Sequence, residues 1–596
     1  MNLPQLLSAS LVGSLVLASP ANAQFLDVPG DHDTIQAAVD AASDGTTILV
    51  YPGTYPLSAP INTLGKDIAL RSVGGPEVTV LDGQNSSRIF HFDLGEPPST
   101  EIEGFTLTRG QAPVASTPGT IGDGGGAILI EDSNPTFIDC IIRDCRADDG
   151  VAPSEGVKGP RGGHGGGVYA DGGTTRFFSC RFINNSAGDG GRGGTGSTGI
   201  TGEAGGPGFL GGNGGAGSAI FAIGTAVLQI EGCLFVDNRC GKGGQGGFGG
   251  QGGQGDSGPF GGFVGVGGSG GQGGQGGVGG AGTIYGSGGA FLNIDSCTFL
   301  DNAAGAAGDP GIGGAGGAGL IPGFPGIPGD NGVCSTRPGI AIDGASSGQT
   351  HNNLLFDLDS CGLGLQEIWS PFEPEHCATR SAAVGVGSIQ IDQSWLDAGY
   401  VPLEGSPLID AGNDALLSAN FATDLSGGPR LFDKPNFGTN LTLDIGAFEN
   451  RRGVWTSLTS QCSTHLPGTL ANLGGVPTIG ETLSLGVDDP YGFSSPGSLA
   501  ILAGNNSTVG APCGTLVPGW GLEPGTAGGS LLSFEGNFSL YGVQPWIGPG
   551  TPSVFNLPLP DNASIIGKTW TFQGALIDPL TFEIGLTEVQ IATFGD

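Results

Sequence analysis

An all-β solenoid with glycine-rich inserts, followed by a small β-sandwich, is the fold class this sequence predicts. Three observations predict it. A short segment centred on cysteine recurs along the chain. Each copy alternates apolar and polar residues with period two. Glycine occupies every third residue in four stretches, each at the same point of the recurring unit.

The chain has 596 residues, which predicts several domains or one long repeat array. Its 20 Lys+Arg against 55 Asp+Glu leave a formal charge of −35. A phosphate backbone demands a basic face, so this balance excludes nucleic acid and anionic lipid as expected partners. It favours a self-repelling surface suited to a salty exterior, or to divalent cations.

The first residues read as a signal peptide over 1–23. Leu6 to Ala18 is mostly apolar and too short to cross a bilayer, and Ala21-Asn22-Ala23 is a small-x-small cleavage signal. The region before it carries no Lys or Arg. No later apolar run reaches about 18 residues, so no transmembrane segment is expected in the mature chain from Gln24. The expected location is secreted or at the cell surface. Eleven cysteines in an exported chain leave at least one thiol unpaired. No CxxC pair occurs, so no zinc site is expected.

The solenoid is expected over 24–450. Four cysteine-centred copies align: Phe137 to Ala147 around Cys140, Phe177 to Ala187 around Cys180, Ile230 to Cys240 around Cys233, and Ile294 to Ala304 around Cys297. Ile102 to Ala112 is a degenerate earlier copy. Apolar residues fall at the first position, at cysteine and two beyond it, which is a strand signal. Each unit opens with a second short strand, such as Ala127 to Ile130, Val168-Tyr169 or Thr283 to Tyr285. Without its insert each unit is ~23 residues, the length of one solenoid coil, and a single coil cannot bury its own apolar face.

Stacking at ~4.8 Å per coil then predicts ladders. Cys140, Cys180, Cys233 and Cys297 form one, read as core packing, with disulfides between neighbouring coils as the alternative. Ile142, Phe182, Phe235 and Phe299 form an apolar one. Asn185, Asn238 and Asn302 form a third at a turn, where the side-chain amide satisfies backbone groups and tolerates left-handed geometry.

The opening stretch, Pro29 to Tyr55, contains a short helix with Thr34 as N-cap and Ile35, Ala38, Val39 and Ala42 on one face, then a strand ending in Tyr51-Pro52-Gly53-Thr54-Tyr55. This stretch resembles the start of pectate-lyase-like right-handed parallel β-helix proteins. Val80-Leu-Asp82-Gly83 with Arg88-Ile-Phe90, and the Gly-Gly-Gly-Val-Tyr and Cys-x-Phe-x-x-Asn units, are similar to the β-helix repeats of bacterial surface proteins. Ser406 to Gly412 with Asp444 to Glu449 resembles the closing segment of bacterial choice-of-anchor β-helix proteins, which are exported and held at the cell surface. The resemblance spans roughly Phe25 to Glu449. It implies a right-handed parallel β-helix and is specific for fold rather than function.

After a linker at 450–453, residues 454–596 carry less glycine, and short β-rich runs alternate with Pro/Gly turns, predicting the small β-sandwich. Leu557 to Asp578 is similar to a C-terminal module of bacterial secreted repeat proteins. Cys462 and Cys513 are this region's two cysteines and form the candidate disulfide.

The glycine inserts lie near 150–166, 188–217, 241–282 and 305–332. Collagen-like assembly is disfavoured because proline is sparse and both ends of each insert are tied to adjacent coils. Two forms remain: flexible loops, or extended threefold strands packed side by side in one layer beside the solenoid.

For chemistry, the candidate binding residues are Asp144, Asn184, Asp237 and Asp301, one residue before the asparagine ladder. Stacked carboxylates either face water or share a cation. Calcium is therefore the one ion the ladder would hold; otherwise no metal and no cofactor is expected. Arg143 and Arg181 lie nearby at different alternation positions and are expected to project differently. His164 sits inside an insert, where no rigid shell is expected to orient it. His91 and Asp93 form a weak His-x-Asp signal. No Gly-x-Ser-x-Gly elbow, HExxH or P-loop occurs.

The expected function is a non-enzymatic surface or matrix protein, adhesive or glycan-binding, with polysaccharide or a cell-surface macromolecule as partner. The alternatives are a polysaccharide lyase or glycoside hydrolase, which the family resemblance implies through clustered carboxylates with a basic residue, and calcium-dependent adhesion.

Overall fold

The computed structural model describes residues 24–358 except 115, 116, 118, 121, 154, 155 and 257–265; beyond 358 it describes separate segments of the chain. The signal-peptide reading and the Cys462–Cys513 pairing lie outside the described residues.

Three parallel sheets run the length of a solenoid. The first holds nine strands, from Phe25–Val28 to Ser347–His351. The second holds ten, from Gly53–Pro56 to Ile389–Gln390. The third holds seven, from Phe90–Phe92 to Ile368–Trp369. One coil shows the order: Ile128–Glu131 in the third sheet, Thr136–Ile138 in the first, Ile141–Arg143 in the second. Stacking is in register, so Ile142 pairs with Leu107 and Phe182, and Phe235 with Phe182 and Phe299. That register turns the period-two alternation into continuous inward columns. Leu81, Leu107, Ile142, Phe182, Phe235, Phe299 and Leu355 are all buried along the second sheet. Ring stacking follows, at 4.8 Å for Phe182–Phe235 and 4.6 Å for Phe235–Phe299. Each buried ring contributes about 1.5–3 kcal/mol.

The helix Ile35–Ala41 begins the stack. The Thr34 hydroxyl accepts from the Ala37 N–H at 3.2 Å, and Ile35, Ala38 and Val39 are buried. Lys66 Nζ donates to the carbonyls of Val39 and Asp40 in the last turn of the helix, joining the Ala42 N–H on Val39.

The predicted ladders are present inside. Cys140, Cys180, Cys233 and Cys297 are buried free thiols, so this column is core packing and not a run of disulfides. Asn185, Asn238 and Asn302 are fully buried. Each side-chain amide donates to a carbonyl in the preceding coil: Asn185 to Ile142, Asn238 to Phe182, Asn302 to Phe235. Each Oδ1 accepts from the coil before it, at 3.1 Å from the Cys145 N–H and 3.0 Å from the Asn185 and Asn238 N–H groups. Asp357 ends the ladder by accepting from Asn302 Nδ2 at 2.8 Å.

The inserts leave after a second-sheet strand and return at a third-sheet strand, and they take the extended threefold form. Each has an outgoing and a returning leg with glycine at every third residue; in the third insert the legs are largely Gly-Gly-X triplets, and the two glycines donate in different directions. Gly243, Gly246, Gly249 and Gly252 donate to Ala306, Asp309, Ile312 and Ala315 of the next outgoing leg at 2.8–2.9 Å. Gly244, Gly247, Gly250 and Gly253 donate to Gly212, Phe209, Gly206 and Glu203 of the preceding returning leg at 2.7–2.8 Å. The ascending and descending numbers mean parallel contact with one neighbour and antiparallel contact with the other. Only glycine fits: a Cβ on Gly247 would overlap the Gly194 carbonyl, and one on Gly250 the Ser197 carbonyl. Third positions such as Thr198, Gln251 and Ala315 face solvent.

The closing segment packs across the late coils of the second sheet. Leu408, Ile445 and Ala447 share a buried cluster with Leu234, Val236, Leu300, Leu354 and Phe356. The Ala447 N–H donates to Thr298 Oγ1 and the Gly446 N–H to the Asn352 carbonyl. Among the described residues the C-terminal region is antiparallel, with sheets of five, three and two strands. Leu483, Leu485, Val487 and Phe555 of the three-stranded sheet share one core with Ala500, Leu502, Phe572 and Leu576 of the five-stranded sheet. Trp546 lies in that core and donates from Nε1 to Asp488 at 2.8 Å.

Candidate functional site

On the second sheet, the described residues of the closing segment cover late coils, and the outward columns of the early coils carry polar and charged side chains. Each coil turns there through a residue with left-handed backbone: Arg109 (φ 51), Asp144 (φ 55), Asn184 (φ 53), Asp237 (φ 56) and Asp301 (φ 55). Asp and Asn tolerate that conformation because a short polar side chain can bond locally. The turn therefore accounts for the residue types of the ladder Asp144, Asn184, Asp237 and Asp301.

The first two members of this ladder bond to one another. Asn184 Nδ2 donates to Asp144 Oδ1 at 2.7 Å. Burial, then the charge of Asp237, raises the Asp301 carboxyl above its ordinary range. Arg143 Nε stands 3.9 Å from Asp144 and Arg239 Nη2 3.8 Å from Asp237, both pairs well exposed. Among the described residues no three His, Cys, Asp or Glu side chains converge as a metal set.

Beside the start of this ladder lies a cleft of about 580 Å³ lined by Thr54, Val80, Asp82, Asn85, Thr108, Arg109, Arg143 and Asp144. Register builds it: Asp82, Thr108 and Arg143 are successive partners along one outward column, and Thr54 and Val80 begin the next. Asp82 is almost fully buried on the cleft floor. Arg109 grips it with two nitrogens, Nε donating to Oδ1 at 2.9 Å, and the Gln84 N–H adds a third bond at 2.9 Å. Burial opposes ionisation of Asp82, but the Arg109 bond, the Gln84 N–H and the Arg109 charge together hold its carboxyl below the usual carboxylate value. Asp82 on the floor is thus fixed in an ion pair whose Arg109 is half-exposed, as are Arg143 and Asp144 on the rim.

Of the residues predicted from sequence, the structure brings Asp144 into the cleft and leaves Asp237 and Asp301 on later coils. Sequence reasoning missed Asp82, Arg109, Asn85, Thr54 and Thr108. The signal was available for one of them: Arg109 precedes Gly110 as Asp144 precedes Cys145, so it stands in the same ladder position.

Two expectations are corrected. Arg143 and Arg181 do not alternate: both flank the inward column of Ile142 and Phe182 and so point outward, Arg143 into the cleft and Arg181 to Glu77 at 3.0 Å. Their columns lie two positions apart on the strand, which is the same face. His164 is held rigidly. Its ring stacks on Phe221 with centroids 4.2 Å apart, and Nδ1 accepts from the Ala216 N–H at 2.8 Å. Burial, then the nearby Arg161 charge, lowers its pKa to about 3. Phe221 also stacks with Tyr169 and Tyr285, an aromatic column on the third sheet against which the glycine legs are seated. His91 lies on that same sheet, away from the cleft, and meets Glu131 at 3.0 Å.

No protein-family model, no curated protein and no solved structure matches this chain.

Proposed function

We propose that this chain is an exported β-helix surface or matrix protein that binds polysaccharide through the cleft on the second sheet and does not cleave it. The carrying observation is the lining of that cleft: two hydroxyls, an amide, two carboxylates and two guanidiniums around about 580 Å³. Such a set of convergent donors and acceptors suits sugar hydroxyls. The likeness of Pro29 to Tyr55 to pectate-lyase-like proteins, and of the Ser406–Gly412 and Asp444–Glu449 stretches to choice-of-anchor proteins, supports an extracellular, surface-held role. Binding without cleavage is favoured because Asp82 is held ionised under Arg109, whereas a general acid needs its carboxyl kept protonated. The second reading, a lyase or hydrolase of the pectate-lyase-like type, draws on the exposed Arg143 next to Asp144.

The test is retention of the secreted protein on a panel of acidic and neutral polysaccharides, with and without calcium, with new chain ends assayed in the same tubes. Retention without new ends is expected, falling at least about tenfold in Arg143→Ala and Asp144→Ala. New chain ends that vanish in either variant would replace binding by catalysis. Retention unchanged by both variants would remove the cleft from the reading. Loss on chelation would assign the ladder a calcium ion.

A further inference from the structure

The last glycine insert ends the layered bundle, and its returning leg differs from those before it. The chain reads Ile321-Pro322-Gly323-Phe324-Pro325-Gly326-Ile327-Pro328-Gly329. In the preceding returning leg the equivalent residues of Pro322, Pro325 and Pro328 are Gly267, Gly270 and Gly273. Their N–H groups donate outward to Ile321, Phe324 and Ile327. Proline at those places has no N–H, so the outward face of this leg carries no donor there, and a further glycine leg could not be added in the same way.

Three further observations bear on this ridge. Gly323, Gly326 and Gly329 still donate inward, to Gly317, Gly314 and Gly311 at 2.7–2.9 Å, so the leg is fixed to its own insert. Their carbonyls correspond to those of Gly268, Gly271 and Gly274, which accept from Gly317, Gly314 and Gly311; among the described residues no backbone N–H reaches the carbonyls of Gly323, Gly326 or Gly329. Beside the three exposed prolines, Ile321, Phe324 and Ile327 are 61%, 82% and 66% exposed. A threefold leg with proline at every third position is a polyproline II helix displaying one proline face and one apolar face, with carbonyls that only accept.

We propose that Ile321 to Gly329 is a docking ridge for a protein domain whose groove is floored by Tyr and Trp rings and carries indole or phenol donors. Grooves of that kind take polyproline II segments by packing prolines between the rings and donating to the ligand's carbonyls. Here the helix is held in the bound conformation by the insert beneath it, so little conformational entropy remains to be lost on binding.

The experiment presents the full chain to immobilised SH3, WW and EVH1 domains and reads capture by interferometry, with light scattering on the free protein. Pro322→Gly/Pro325→Gly/Pro328→Gly restores the glycines of the preceding leg and leaves the bundle's contacts intact. Phe324→Ser alters only a highly exposed side chain. Capture by at least one of these domains is expected, weakened at least about tenfold by each variant while the melting temperature stays that of the wild type. No capture by any domain, or capture indifferent to both variants, would overturn the proposal. A wild-type dimer made monomeric by Phe324→Ser would overturn it in favour of a second copy of this chain.

Discussion

Replacing Gly247 by alanine tests the close packing of the glycine bundle. Its Cβ would overlap the carbonyl of Gly194, and no flexible side chain can move aside, because the obstacle is backbone. The Gly247 leg must move off the Gly194 leg, and its bonds to the two returning legs beside it move with it. The Gly247 N–H then loses the Phe209 carbonyl, and the Gly274 N–H loses the Gly247 carbonyl, both now at 2.7 Å. The neighbouring bonds from Gly244 to Gly212 and Gly250 to Gly206 stretch with them. At about 0.5–1.5 kcal/mol per bond, four bonds amount to about 2–6 kcal/mol, within the range expected for forced overpacking. The inserts lie outside the apolar core, so the loss is local. Amide hydrogen exchange is therefore the assay. In the wild type the amides of Gly244, Gly247, Gly250 and Gly274 should exchange far more slowly than in an unstructured peptide, and Gly247→Ala should release them while the solenoid strands stay protected. The solvent-facing Gln251→Ala should change nothing. Fast exchange at these glycines in the wild type, or no response to Gly247→Ala, would refute the packed bundle and return the inserts to flexible loops.

Three other outcomes are expected. Asn238→Ala removes the side chain that donates to Phe182 and Asn302 and accepts from Asn185, leaving buried groups unpaired; denaturant unfolding should show a loss of about 2–4 kcal/mol. His164 has a folded pKa of about 3, below its ordinary 6.5, so its neutral form supports the fold fully above pH 6.5 and that support falls away as pH drops toward 3. The pH dependence of the melting temperature over this window should flatten in His164→Phe, with up to about 5 kcal/mol at stake. The thiols of Cys145, Cys240 and Cys377 are pushed up to about 12 by burial, so they should resist a thiol reagent at pH 8 in the native protein and react on unfolding.

The solenoid was legible because its signal is local. Alternation around Cys140, Cys180, Cys233 and Cys297 states which side chains turn inward, and parallel stacking of like units places like residues in columns. The asparagine ladder was legible for the same reason, and its terminal partners were not. Cys145 and Asp357 are not asparagines, and they join only because register puts them one coil before and one coil after.

The candidate site was legible only at Asp144. Asp82 and Arg109 come from early coils whose sequences depart from the repeat, and they meet across 27 residues of chain because those coils are adjacent in the stack. The covering of Leu234, Val236 and Phe356 by Leu408 and Ile445 likewise depends on a segment returning across later coils. By itself the sequence determined the coil, its inward face and the ladders, since each depends on the period of a short segment. The tertiary structure decided the cleft, the setting of His164 and the directions in which the glycine N–H groups bond. Each of those depends on which distant strands lie side by side, and a glycine triplet is compatible with many neighbours until packing selects one.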